Sequence, residues 1–158
     1  MKTLIVYYSA QWQTKTIAEK IAAEIGADLF EIKPAEAYSE ADLDWTDGTS
    51  RVYREHKDEK LRKVALESTN APDWDSYERV IVMYPVWWGI AAWPLSSFVT
   101  SVDFGEKEVI PVAVSHSSPL GDSGKLLAEA AKGGDWKNGI RFSQDATDAE
   151  IKDWTKTL

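Results

Sequence analysis

Two loops of the sequence combine residues that suit the binding of a phosphate and of a flat aromatic ring. The first runs from Ser9 to Lys15 (Ser-Ala-Gln-Trp-Gln-Thr-Lys) and leads directly into a helical pattern. Unpaired backbone N–H groups and the positive end of the dipole at a helix start attract an anion. The side chains of Ser9, Gln11, Gln13 and Thr14 add hydrogen-bonding groups. This loop is a candidate phosphate site, with a simple helix cap as the alternative.

The second loop places two adjacent tryptophans, Trp87 and Trp88, between Pro85-Val86 and Gly89. Adjacent residues in an extended segment point in different directions, so one indole can stack on a ligand while the other packs inward. Gly89 would let the backbone approach the edge of that ligand. The pair predicts a planar aromatic ligand, and core packing of both rings is the alternative.

A third loop offers small polar groups that would line the other side of such a ligand. It begins with Ser115, His116, Ser117 and Ser118, and an ordinary polar turn is the alternative. No Ser, Cys or carboxylate partner for His116 is visible in the sequence, so we interpret it as a bystander and not a proton donor. The only other histidine, His56, is expected on the surface.

The elements that position these loops alternate between strand and helix. Apolar runs at Thr3–Tyr8, Arg79–Tyr84 and Val109–Ser115 predict buried strands. A shorter run predicts an edge strand at Asp28–Lys33, and a weak last strand is expected at Ile140–Phe142. Helical patterns follow the first strand up to Ile25 and also cover 92–102 and 123–132. A charged crossover with one amphipathic helix spans 35–75. Thr147 and Glu150 form a capping box that predicts a terminal helix.

Alternating strands and helices predict a parallel sheet with right-handed crossovers. The long connection between the second and third strands suits a chain that passes over the first strand. We therefore expect a three-layer α/β/α sandwich with a five-stranded parallel sheet of order 2-1-3-4-5, formed by residues 1–158 as one domain. In such a sheet ligands bind at the carboxyl ends of the strands, where the strand order reverses. All three loops lie at that edge.

Composition excludes several classes of function. The chain has 18 basic and 26 acidic residues, a net charge of −8, so nucleic acid and anionic membranes are not expected partners. It has no cysteine, which excludes disulfides, thiol catalysis and Cys-ligated metal centres. Redox chemistry would need a bound organic cofactor. The first apolar run ends at Tyr8 and is too short for a signal peptide or a membrane span, which predicts a cytoplasmic location.

These residues resemble the flavodoxin family, especially the short-chain bacterial flavodoxin-like proteins. The closest stretches are Ile5–Ser9, Thr14–Ala22, Ile32–Tyr38 and Tyr84–Gly89, and the resemblance covers nearly the whole chain. It departs from the family pattern where Thr-Gly-Asn becomes Gln11-Trp12-Gln13 and where Gly-Gly becomes His116-Ser117. If the position of Trp12 required a positive φ, a tryptophan there would cost about 1 kcal/mol or more.

The resemblance implies one non-covalently bound flavin mononucleotide (FMN) that cycles electrons. By this likeness the first loop, with Trp12 included, would wrap the FMN phosphate, Pro85 to Gly89 would flank the isoalloxazine ring, and Ser115 to Ser118 would cover its pyrimidine side. An acidic surface would dock the basic patch of a redox partner protein. The oligomeric state is left open by the sequence.

Three other functions compete with electron carriage by a bound flavin. An NAD(P)H-dependent flavin or quinone reductase of the same fold and a cofactor-free interaction domain both stay open, so whether the chain is an enzyme is undecided. A phospho-receiver module shares the topology, but it needs an acidic pair after the first strand and an aspartate at the end of the third. Tyr7, Tyr8 and Tyr84 stand there, which excludes it.

Overall fold

The computed structural model describes residues 1–158 as one sheet covered by helices on both faces. The strands are β1 (Thr3–Tyr7), β2 (Asp28–Glu31), β3 (Arg79–Trp87), β4 (Ile90–Ala91), β5 (Glu108–Ser115), β6 (Asp135–Trp136) and β7 (Ile140–Ser143). The α-helices are α1 (Gln13–Ile25), α2 (Arg51–Lys57), α3 (Trp93–Val99), α4 (Ser123–Ala130) and α5 (Asp148–Thr155). Short 3-10 turns lie at Glu59–Arg62 and Trp74–Ser76.

The predicted strand order is confirmed, because the sheet runs β2-β1-β3-β5 with β6 and β7 both beside β5. The predicted number of strands is wrong: the sheet has seven, not five. One extra strand is β4, which folds back on β3, and the other is β6, which shares the last position with β7. All neighbouring pairs are parallel except β3 and β4.

A proline explains why the last position is split in two. Val109 accepts a hydrogen bond from the backbone of Lys137 beside β5. Pro111, two residues further along β5, faces the same side but has no N–H to donate. Gly139 crosses this point, and a Cβ added to it would collide with the backbone of Pro111. Pairing therefore stops after β6 and resumes at β7.

Alternating side chains of the central strands bury both faces of the sheet. On β1 and β3, Val6, Val80 and Val82 face one core, and Ile5 and Ile81 face the other. Helices α3 and α4 cover the first face, while α1 and α5 cover the second. Burial on both sides is why these strands are continuously hydrophobic. The three-layer α/β/α arrangement is confirmed.

The helix boundaries follow from local signals in the sequence. Helix α1 ends at Gly26, whose φ of 68° is left-handed and whose N–H returns to the carbonyl of Ala22. Helix α5 begins with the predicted capping box between Thr147 and Glu150. None of the helices combines the length and the apolar character that crossing a bilayer demands.

The segment after Tyr84, expected to be a loop, continues as strand. Residues 85–87 extend β3, and a two-residue turn of Trp88 and Gly89 reverses the chain into β4. Both turn residues have positive φ, 47° and 81°, as the tight hairpin turns with the right twist require. The tryptophan pair therefore stands on a hairpin that is hydrogen-bonded into the sheet.

Candidate functional site

A cavity of about 610 Å³ opens at the carboxyl ends of β1, β3 and β5, between the three loops singled out above. Its 17 lining residues come mainly from those loops, with further contributions from the crossover and from the end of β7. They are Ala10, Gln11, Gln13, Thr14, Leu43, Trp45, Val52, Pro85, Val86, Trp87, Trp88, Val114, Ser115, His116, Ser117, Ser118 and Gln144.

Twelve of these lining residues belong to the three loops. The first of these loops, at the start of α1, presents unpaired hydrogen-bond donors. The backbone N–H groups of Ala10, Gln11, Gln13 and Thr14 have no acceptor within the chain. Thr14 is only 2% exposed, and its hydroxyl makes no hydrogen bond within the chain; because no fully buried side-chain polar atom is left without a partner, this hydroxyl keeps its small exposed area for a group in the cavity. Such a set of unpaired donors at a helix N-terminus fits an anion, and a phosphate would satisfy several of them at once.

Two residues of this loop that the sequence assigned to the phosphate, Ser9 and Trp12, do not line the cavity. Ser9 shapes the loop instead: its hydroxyl accepts from the N–H of Lys15 at 3.2 Å and donates to the carbonyl of Gln11 at 3.0 Å. Trp12 has a φ of −117° and is 57% exposed. The backbone strain that a positive φ would impose at Trp12 is therefore absent, and the indole extends into solvent.

The aromatic wall of the cavity is formed by the β3–β4 hairpin. Trp87 is held edge-on by Tyr8, Tyr38 and Trp93, at ring-centroid distances of 5.7, 5.5 and 4.8 Å. Trp88 also lines the cavity and is 37% exposed. Gly89, which we expected beside a ligand, does not line the cavity, because it occupies the far position of the turn.

Trp88 stacks on His56 of α2, with ring centroids 4.1 Å apart and planes 5° from parallel. Partial desolvation, followed by the positive charges of the neighbouring Lys57 and Arg62, lowers the pKa of His56 below its ordinary value. His56 is thus in contact with the aromatic wall, which its position in a charged segment did not indicate.

A buried carboxylate joins α2 to Trp93 of α3, whose ring packs against Trp87 of this wall. Glu55, 6% exposed, accepts hydrogen bonds from the Tyr38 hydroxyl and from Trp93 Nε1, the latter at 2.9 Å, and it pairs with Arg51 Nε at 3.2 Å. Burial, followed by the hydrogen bond to Glu55, raises the pKa of Tyr38 far above its ordinary value. Burial likewise raises that of Tyr8. Both phenols are neutral at physiological pH.

The third loop lines the opposite side of the cavity with Ser115 to Ser118. The backbone N–H groups of His116, Ser117 and Ser118 have no acceptor in the chain. Gln144 Nε2 lies 3.4 Å from His116 Nδ1, so a neutral imidazole that accepts this bond carries its proton on Nε2. The loop thus presents several donors and few acceptors to a ligand.

Sequence reasoning missed six lining residues: Ala10, Leu43, Trp45, Val52, Val114 and Gln144. Trp45 lies in the acidic crossover and is 66% exposed. The only signal for it was the excess of tryptophan in the chain, eight in 158 residues. Val52 lies on α2, which is joined to Trp93 of α3 through Glu55 and stacks on the hairpin through His56 and Trp88, and no local pattern indicates these contacts.

The cavity is free of acidic side chains although the chain carries 26 of them. None of the 17 lining residues is Asp, Glu, Lys or Arg. The arrangement therefore provides neutral donors at one end and aromatic surface along one side, and it provides no carboxylate pair for acid–base work. This donor set fits a molecule that combines a phosphate with a flat heteroaromatic ring.

Comparison with known proteins agrees with this geometry. The flavodoxin family model matches residues 2–158. A candidate flavoprotein from Bacteroides uniformis is 35% identical, covering 98% of this chain and 97% of its own, with a TM-score of 0.89. One from Bacteroides eggerthii is 33% identical, covering 99% and 97%, with a TM-score of 0.88. A flavoprotein in complex with FMN from Lactobacillus acidophilus is 24% identical, covering 98% of both chains, with a TM-score of 0.64. No curated protein sequence matches this chain.

Proposed function

The chain belongs to the flavodoxin family, and from that premise we propose that it binds one FMN without a covalent bond and carries electrons between partner proteins. The observation that supports this most directly is the division of one cavity into two chemically different ends. Unpaired N–H groups and the Thr14 hydroxyl lie at one end, and Trp87 and Trp88 lie along the other. A similar protein from Lactobacillus acidophilus was solved in complex with FMN.

Each loop then has a defined task. Gln11, Gln13 and Thr14 hold the phosphate, since their N–H groups are unpaired and lie in the cavity lining at or just before the start of α1. The N–H groups of the 115–118 loop bond the polar, pyrimidine edge of the ring. Ser9 keeps the first loop in shape from outside the cavity.

Trp87 and Trp88 provide the apolar face against which the ring packs, together with Pro85 and Val86. Trp87 is fixed by its aromatic neighbours, so this face is already formed before a ligand arrives. A bound FMN supplies reversible electron uptake, and the protein supplies orientation and a hydrogen-bonding environment.

Electron carriage is favoured over hydride transfer from a nicotinamide nucleotide by the lining of the cavity. The unpaired N–H groups of the cavity are already assigned to the phosphate and the ring edge of FMN, and no Lys or Arg of the lining would hold the phosphates of a second nucleotide. The net charge of −8 instead suits a protein partner with a basic patch, which would dock through weak contacts that salt screens.

Anaerobic reduction of the FMN-loaded protein tests this function. A carrier takes up electrons one at a time from a chemical reductant or a donor protein, and NADH or NADPH alone leaves the flavin oxidised. Rapid bleaching of the flavin absorption by either nucleotide, without a further protein, would contradict carriage and identify a reductase.

A further inference from the structure

An arginine outside the cavity holds the 115–118 loop in place. Arg141 lies on β7, and its Nε donates to Ser115 Oγ at 2.9 Å. Its Nη2 donates to two backbone carbonyls, those of Ser115 at 3.1 Å and His116 at 2.8 Å. The Ser115 hydroxyl in turn donates to the carbonyl of Ser118. One guanidinium thus connects directly or indirectly to three carbonyls of the loop.

These contacts occupy carbonyl oxygens of the loop and leave backbone N–H groups of the loop available to a ligand. The carbonyls of Ser115, His116 and Ser118 are occupied on the protein side, while the N–H groups of His116, Ser117 and Ser118 are left without acceptors. The residues carrying those N–H groups line the cavity, and Arg141 does not. The arginine therefore orients donors that it does not itself provide.

The charge of Arg141 is not neutralised by a neighbouring carboxylate. It forms none of the ion pairs of the chain, and each of its hydrogen bonds goes to a hydroxyl or carbonyl oxygen. Arg141 therefore places an unpaired positive charge behind a loop that lines a cavity without Asp or Glu, so that no carboxylate of the cavity lining offsets this charge.

We propose that Arg141 is a positioning residue for the bound flavin: it orients the N–H groups of the 115–118 loop and places a positive charge behind them that favours the reduced ring. This inference rests on the proposed function. A ring that has gained electrons carries more negative charge than the oxidised ring, so both the donors and the guanidinium stabilise the reduced form more. Arg141 thereby counteracts the low potential expected in a protein of net charge −8.

The test compares Arg141→Gln and Arg141→Lys by their dissociation constants for oxidised FMN and by the midpoint potential of the bound flavin. Arg141→Gln removes both the loop contacts and the charge. We expect oxidised FMN to bind about tenfold more weakly and reduced FMN about a hundredfold, which lowers the two-electron midpoint by about 30 mV. Arg141→Lys keeps the charge but loses the forked geometry. It should weaken oxidised FMN similarly and shift the midpoint less.

Arg79→Gln is the matched control. Arg79 is the first residue of β3 and lies at the amino ends of the strands, opposite the cavity. It pairs with Glu108 at 3.3 Å and donates to the carbonyl of Leu158. Removing this charge should leave the midpoint and the FMN affinity at their wild-type values. Riboflavin, which lacks the phosphate, should lose the same factor in affinity as FMN in both Arg141 variants.

The possible outcomes are distinguishable. Equal weakening of oxidised and reduced FMN in Arg141→Gln would overturn the inference, because a residue that only maintains the fold does not change their ratio. Unchanged affinity in a folded Arg141→Lys would overturn it as well, even if Arg141→Gln fails to fold by circular dichroism. A wild-type protein that retains no FMN would overturn the proposed function and this inference together.

Discussion

Replacement of Thr14 by valine isolates the contribution of one hydroxyl to phosphate binding. Valine has nearly the same shape as threonine and replaces the hydroxyl with a methyl group. Thr14 is 2% exposed, and its hydroxyl, which keeps slight exposure at the cavity, makes no hydrogen bond within the chain, so the substitution breaks none. The free protein should therefore be as stable as the wild type or slightly more so in urea unfolding.

The expected loss in FMN affinity follows from the charge of the phosphate. A hydrogen bond to a charged group contributes about 1.5–3 kcal/mol, which corresponds to a decrease of about 10- to 150-fold in affinity. Riboflavin has the same ring system without the phosphate, so its dissociation constant should stay within about twofold of the wild-type value. Quenching of flavin fluorescence on binding measures both constants.

Thr16→Val serves as the control, two residues further along α1. The Thr16 hydroxyl donates to the carbonyl of Trp12 at 2.9 Å and does not line the cavity. This variant should bind FMN like the wild type. An unchanged FMN affinity in Thr14→Val, or an equal loss for FMN and riboflavin, would refute the assignment of this loop to the phosphate.

Three further substitutions test other parts of the structure. Glu55→Ala should lower the free energy of unfolding by about 3 kcal/mol in urea, because it leaves buried partners of a carboxylate unpaired. Trp88→Gly should be more stable than Trp88→Ala by about 1 kcal/mol, measured the same way, since only glycine adopts a φ of 47° without strain. Burial raises the pKa of Tyr84 from 10.0 to about 12, so folding stability should fall as pH rises through that interval. Because the folded chain keeps this proton while the unfolded chain loses it, Tyr84→Phe should flatten the fall by about 1.4 kcal/mol per pH unit.

Each of these expectations has a result that contradicts it. A loss below about 1 kcal/mol in Glu55→Ala would mean that the network does not fasten α2 to Tyr38 and Trp93. Alanine equal to glycine at position 88 would show that the turn does not hold a positive φ. An alkaline stability profile that Tyr84→Phe leaves parallel to the wild type would place the ionisation of Tyr84 near its ordinary pKa.

Most of the fold could be predicted from the sequence because the signals are local and consistent. Continuous apolar strands, the stop at Gly26 and the Thr147–Glu150 capping box each depend on neighbouring residues. The strand count could not be predicted. It depends on Pro111 and Gly139, which lie far apart in the chain and meet only in the folded sheet. Strands β4 and β6 are also only two residues long, too short for any periodicity.

The candidate site was predicted where loops directly follow strands and was missed where tertiary packing brings a segment in. Topology places 10–14, 85–88 and 115–118 at one edge of the sheet, and the cavity lies there. Leu43 and Trp45 belong to the segment before α2, in which the Asp42 carbonyl accepts from the N–H of Val52. Glu55 joins α2 to Trp93, and these long-range contacts leave no local signal. The outward position of Trp12 depends on a local φ that residue type alone does not determine.

The most direct test of the account is an equilibrium titration of the flavin-free protein with FMN, followed by desalting. We predict one FMN per chain, retained on the column, with a dissociation constant below about 1 μM, equivalent to about −8 kcal/mol. Absence of retained flavin and of any saturable change up to about 1 mM FMN, equivalent to about −4 kcal/mol, would contradict the central claim.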